Sequence, residues 1–151
     1  MKTLQFTKEI NATAQKVWDV LWNPETYSKW TRAFNPDDPL GGSMRSDWEV
    51  GGKTLFMDSN GSGMVSTIKT IDEPYELVFE HLGELIDGRE DTTSERVKTW
   101  AGSLEEYYLT EQDGITTLRA SVQIPEGDEG EETMDRGFTE GLEVVKRLAE
   151  Q

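Results

Sequence analysis

Cysteine is absent from the chain, so no disulfide framework, thiolate nucleophile or cysteine-bound zinc site is open to it. Histidine occurs once, at position 81, and positive charge is scarce: 15 Lys and Arg stand against 30 Asp and Glu. The resulting formal charge of -15 repels phosphate backbones and anionic headgroups over the whole surface, which excludes nucleic acid and membrane surfaces as expected partners. Long apolar runs are missing too. The segment Met1 to Thr7 lacks the apolar core of a secretory signal, and no stretch is long enough to span a bilayer, so the expectation is a cytoplasmic protein. Only 34% of the residues are apolar, but five Trp, five Phe and four Tyr each remove a large area from water. They suffice to close one core, and a single domain over residues 1–151 is expected.

Leu4, Phe6 and Ile10 alternate with Gln5, Thr7 and Glu9, Lys8 being the exception, which predicts a half-buried strand over about 2–10. Four-residue spacing then takes over: Ala14, Trp18 and Trp22, with Val17 and Leu21, predict a helix capped by Asn11 or Thr13. Asn23-Pro24 restarts a second short helix carrying Tyr27 and Trp30, with Asn as cap and Pro at the first helical position. From Gly41 the period is two, and turn chemistry at Gly51-Gly52, Asn60-Gly61, Asp72-Glu73-Pro74 and Asp113-Gly114 divides the segments into an antiparallel meander. Its clearest strand is the last, with Leu118, Ala120, Val122 and Ile124 on one face. The polar stretch 83–103, anchored by Val97 and Trp100, is either a long loop or a short extra turn of helix. Met134, Phe138, Leu142, Val145 and Leu148 finally mark a long amphipathic helix. Strand, two helices, six strands and a helix make an α+β chain.

This order resembles the SRPBCC or START-like superfamily, within it the branch of activators of the heat-shock-protein-ninety ATPase. The resemblance covers nearly the whole chain. It rests on Ala14 to Pro24 through Trp30, on Gly51-Gly52-Lys53, on Ile71 to Glu80, on Gly114 to Leu118, and on Gly137-Phe138 through Leu148. It implies a helix-grip fold, a curved antiparallel sheet of about seven strands wrapped around a long C-terminal helix. It also implies a cavity between sheet and helix of the kind the superfamily uses for lipids, polyketides and other apolar ligands. No motif here matches a particular catalytic subset, so the fold by itself assigns no chemistry.

Several residues invite a functional reading beside a plainer one. His81 shares a face with Leu77 and Phe79, which puts its imidazole at the rim of the implied cavity if Phe79 points inward; the plainer reading is a strand-end histidine on a solvated edge. No Ser, Cys or Asp is placed by the sequence to complete a nucleophilic arrangement with it. Trp18 and Trp22 read as core, whereas Trp48, alternating with Met44 and Ser46, is a candidate for the cavity wall, with Met64 as an adaptable neighbour. The acidic run Glu126 to Asp135 lacks the ligand spacing of a calcium loop and is better explained by the positive end of the helix it enters; no metal and no cofactor is expected. Gly137 and Gly141 together cost about 2 kcal/mol of helix propensity. Either close packing on the sheet or room for ligand atoms beside Phe138 and Leu142 offsets that.

The leading expectation is a binding protein for an apolar or aromatic small molecule, a carrier, sensor or sequestering domain lined by Trp48, Met64, Phe79, His81, Phe138 and Leu142. The alternatives are a co-chaperone-like module that docks a protein partner through its acidic surface, and an enzyme in the same cavity drawing on His81 and Tyr107 or Tyr108. The charge makes one prediction directly: duplex DNA should give no mobility shift at physiological salt and micromolar protein, and a saturable shift there would contradict the electrostatic reading.

Overall fold

The computed structural model describes residues 1–127 and 130–151. In chain order the elements are β1 (Lys2–Ile10), α1 (Ala14–Trp22), α2 (Pro24–Thr31), a 3₁₀ turn (Arg32–Phe34), β2 (Ser43–Ser46), β3 (Lys53–Met57), β4 (Gly63–Asp72), β5 (Glu76–Ile86), β6 (Arg89–Asp91), α3 (Glu95–Lys98), β7 (Leu104–Gln112), β8 (Ile115–Ile124) and α4 (Glu131–Ala149). All strands pair antiparallel in one open sheet of order β1-β8-β7-β5-β4-β3-β2, with β6 added beside β5. An eight-stranded sheet, short helices after the first strand and a long final helix make the helix-grip fold.

Local chemistry sets these boundaries. Thr13, not Asn11, caps α1, its hydroxyl accepting the Lys16 N–H at 3.2 Å. Asn23 caps α2 through Glu25 N–H at 3.0 Å, with Pro24 at the first helical position. The expected seven strands become eight because Asp87-Gly88 takes positive φ at both residues (49° and 80°), as Asp113-Gly114 does (54° and 78°). Two such residues in sequence form the tight turn that suits twisted strands, so β5 folds back as β6. The 83–103 segment is therefore neither a plain loop nor only a turn of helix: it holds the end of β5, then β6 and α3. Lys8, the exception in the alternation of β1, faces α4 and pairs with Glu143. Of the acidic run before α4, Asp128 and Glu129 lie outside the described residues; Glu131 and Glu132 fill the first turn of the helix, and Glu131 also pairs with Lys2 at 2.9 Å.

Trp22 organises the core. Its ring lies within 6.4 Å of the rings of Trp18, Tyr27, Trp30, Trp48, Phe79 and Tyr107, with Tyr107 edge-on at 4.9 Å. These contacts tie α1 and α2 to β5 and β7, and each well-oriented pair adds about 0.5–1.5 kcal/mol beyond the area it buries.

The two glycines of α4 answer to neither expected partner. A Cβ at Gly137 would fall 2.2 Å from Cδ1 of Phe34, and one at Gly141 would fall 2.9 Å from the carbonyl oxygen of Trp30. The close approach is thus to α2 and the 3₁₀ turn, not to the sheet and not to open space. For Gly141 the obstacle is backbone, so Gly141→Ala should lower the melting temperature by several degrees despite about 1 kcal/mol gained in helix propensity. A raised melting temperature would show that α4 is not held this close.

Candidate functional site

A cavity of about 720 Å³ opens between the sheet, the α2–3₁₀ segment and the N-terminal half of α4. Trp30, Phe34, Phe56, Met64, Met134 and Phe138 supply its apolar wall. Tyr27, His81, Glu105 and Tyr107 supply a polar one, and Asp38, Asp58, Glu84 and Arg96 also line it. The size falls within the range of sites for drug-sized ligands, roughly 300–1,000 Å³.

Sheet register assembles the polar wall. Ser66 on β4 pairs with His81 on β5, and Phe79, two residues earlier, pairs with Glu105 on β7. Period-two alternation then brings Phe79 and His81, and Glu105 and Tyr107, to the same inner face. Beyond His81 the register slips by one residue between the Ser66 and Val65 pairs. The slip reverses the facing, so that Glu84, opposite Met64, also turns to the cavity.

The resulting side chains form one hydrogen-bonded chain. Ser66 Oγ lies 2.6 Å from His81 Nδ1, and His81 Nε2 lies 3.1 Å from Glu105 Oε1. The Tyr107 hydroxyl donates to Glu105 Oε2. A carboxylate oxygen only accepts, so Nε2 carries a proton and donates to Glu105, and in the neutral ring Nδ1 then accepts from the Ser66 hydroxyl. Serine, histidine and glutamate in line resemble a hydrolytic triad in composition and order, but the ring nitrogens are exchanged, with serine on Nδ1 and the carboxylate on Nε2. Ser66 is 1% exposed and does not line the cavity, so the group presented to a ligand is the carboxylate, not the hydroxyl.

Charge and burial act on the two inner phenols in the same direction. Tyr107 is pushed well above the usual tyrosine range by burial, by the charge of Glu105 and by donation to it. Burial and then the Glu105 charge raise Tyr27 likewise. On the opposite face of β7, Tyr108 donates to Glu106 at 2.7 Å and is pushed up to about 12, chiefly by burial. Elsewhere on the lining, the N–H groups of Ser59 and Leu40 hold the Asp38 carboxyl below its ordinary value. Asp38 thereby fastens the segment after the 3₁₀ turn to the turn that begins after β3.

Of the six residues anticipated for the site, Met64, His81 and Phe138 line the cavity together. Phe79 and Leu142 are buried in the core beside it and are not part of its lining. Trp48 lies elsewhere. The expected strand ends at Ser46, whose hydroxyl accepts the Trp48 N–H at 3.0 Å. Trp48 takes a positive φ of 55° in the loop that follows, and its ring lies 6.2 Å from that of Trp22. His81 is buried, not on a solvated edge, and Ser66 supplies the hydroxyl partner that spacing did not reveal. Glu105 went unnoticed, although its signal was present: it shares a period-two face with Tyr107 and Leu109, and a carboxylate on a core-facing register is uncommon.

The chain belongs to the family described as activator of Hsp90 ATPase homolog 1-like protein, whose model matches residues 11–150. The fold is similar to that in the solution structure of the Aha1 dimer from Colwellia psychrerythraea: TM-score 0.73, 14% identity, 99% of this chain and 97% of that one. It is similar also to protein MLL2253 from Mesorhizobium loti: TM-score 0.71, 14% identity, 97% of this chain and 96% of that one. A third similar structure is DynU16, described as a putative protein in the dynemicin biosynthetic locus, with a TM-score of 0.66 and 16% identity. There the match takes in 96% of this chain and 46% of that one, so this chain spans less than half of DynU16. At these identities the likeness carries the fold alone. A comparison with curated proteins found no match.

The buried phenols set a pH dependence. An unfolded tyrosine loses its proton near pH 10, while Tyr27 and Tyr107 keep theirs in the fold. Above that pH the unfolded chain binds fewer protons than the native one, so stability is complete below about pH 10 and falls as pH rises further. Melting temperature should drop steadily above pH 10, with phenolate absorbance of the inner tyrosines appearing only as the fold is lost. Reversible ionisation of all four tyrosines near pH 10 with the fold intact would contradict this.

Proposed function

We propose that this protein binds an apolar or aromatic small molecule in the cavity beneath α4, as a carrier, sensor or sequestering protein. The observation that carries the reading is the cavity itself: about 720 Å³ with aromatic and methionine walls on one side and a concentrated polar cluster on the other. Apolar walls supply affinity by burial at roughly 25 cal/mol per Å², and a few fixed polar groups supply orientation. Met64 and Met134 add walls that adapt to shape. Membership in the activator-homologue family and likeness to a protein of a biosynthetic locus are both compatible with a ligand site.

A second reading, a module docking on a chaperone or another protein, draws on the family description and on the charge of -15. It predicts partner capture that weakens as salt rises, with no need of the cavity. An enzyme working in the same space would use Glu105 and His81 as its acid–base pair.

Trp30 and Trp100 line the cavity, so occupancy should report through their emission. Titration with flavonoids and polyaromatic compounds should change tryptophan fluorescence saturably. Met64→Ala should weaken binding several-fold with little change in melting temperature, because Met64 is only half-buried. No saturable change with any compound up to its solubility limit would overturn the binding reading and leave protein docking in its place.

A further inference from the structure

Building on the ligand-binding reading, we infer that the ligand of this cavity carries a hydrogen-bond donor and no negative charge, and that Glu105 is the residue that selects for it. A carboxylate offers about four lone-pair sites, and His81 and Tyr107 occupy one on each oxygen. The remainder have no partner among the described residues, and Glu105 lines the cavity with an 18% exposed side chain. The groups in contact with Glu105 are committed: His81 Nε2 and the Tyr107 hydroxyl to Glu105 itself, and His81 Nδ1 to Ser66, while Tyr27 adds a further hydroxyl to the same wall. What Glu105 leaves free is acceptor capacity.

The wider lining has the same sign. Asp38, Asp58, Glu84 and Glu105 line the cavity, and among the described residues that do so Arg96 is the one Lys or Arg, already paired with Glu84 at 2.5 Å. An anionic ligand such as a fatty acid would bring its carboxylate beside that of Glu105, in a lining that carries more negative than positive groups, and like charges at close range repel. A phenol, an alcohol or an amine on an apolar frame would instead complete the lone pairs of Glu105. Its frame would rest on Phe56, Phe138 and Met64.

Three probes of one ring system separate the cases: naphthol (donor), methoxynaphthalene (no donor) and naphthoate (anion), measured by equilibrium dialysis at neutral pH. Naphthol should bind about tenfold tighter than methoxynaphthalene, the scale of one hydrogen bond to a charged acceptor, and naphthoate should bind weakest. In Glu105→Gln, which keeps shape and removes charge, the advantage of naphthol should shrink several-fold and naphthoate should gain. Tyr107→Phe, which frees a lone pair while keeping the carboxylate, should preserve or enlarge that advantage, and it decides the matter if Glu105→Gln melts too low to assay. Equal binding of all three probes, or naphthoate binding best, would overturn the inference while leaving the ligand-binding reading standing. Unchanged preferences in a folded Glu105→Gln, or their loss in Tyr107→Phe, would overturn the role of Glu105. Binding of none of the three would count against the ligand-binding reading itself and take the inference with it.

Discussion

The glycine face of α4 is the constraint on which the rest depends. Gly137 and Gly141 let the helix sit against the ring of Phe34 and the carbonyl of Trp30 at distances no side chain would permit. Helix α4 is thereby fixed laterally, on α2 and the 3₁₀ turn, and not by settling flat on the middle of the sheet. Phe138, next to Gly137, stacks on Phe6 of β1 and meets Phe34 edge-on, at 4.9 Å each. Phe34 and Phe138 close one side of the space, while the sheet from β3 to β8 closes the other. The helix propensity lost at the two glycines, about 2 kcal/mol, is offset by aromatic packing, and an open volume beneath the helix is the by-product.

A second consequence concerns charge. A carboxylate facing an apolar cavity is costly unless donors hold it, and the sheet register supplies two, His81 from β5 and Tyr107 from β7 itself. Ser66, from the next strand out, fixes the far side of the imidazole. Each member of the row satisfies its neighbour, so the network is stable without a ligand and still presents unused acceptor sites. Burial, and after it the charge of Glu105, keeps the protons on the phenols of Tyr27 and Tyr107.

The architecture could be read from the sequence because its signals were local. Period-two alternation in β1 and β8, the Thr13 and Asn23 caps and the apolar stripe of α4 each identify an element from a few neighbouring residues. The order of elements supported the fold, and the family match agrees with it. What escaped was set by contacts distant in sequence. Trp48 left its strand because a serine-capped loop with positive φ turned it toward Trp22. The partner of His81 is Ser66 through strand register, 15 residues away. The partners of Gly137 and Gly141 lie over a hundred residues back, in α2 and the turn after it. Asp87-Gly88 and Glu105 were legible in principle, the first as a hairpin dipeptide and the second as a charge out of place on an inner face.

The measurement closest to the central claim is a nuclear Overhauser experiment on the protein saturated with naphthol. The account predicts contacts from the ligand's ring protons to the Met64 methyl and the Phe138 ring, with its hydroxyl edge toward Glu105 and His81. Contacts confined to surface side chains such as Trp48, or α4 packed down so that Phe138 meets Met64 directly with no ligand between them, would contradict it.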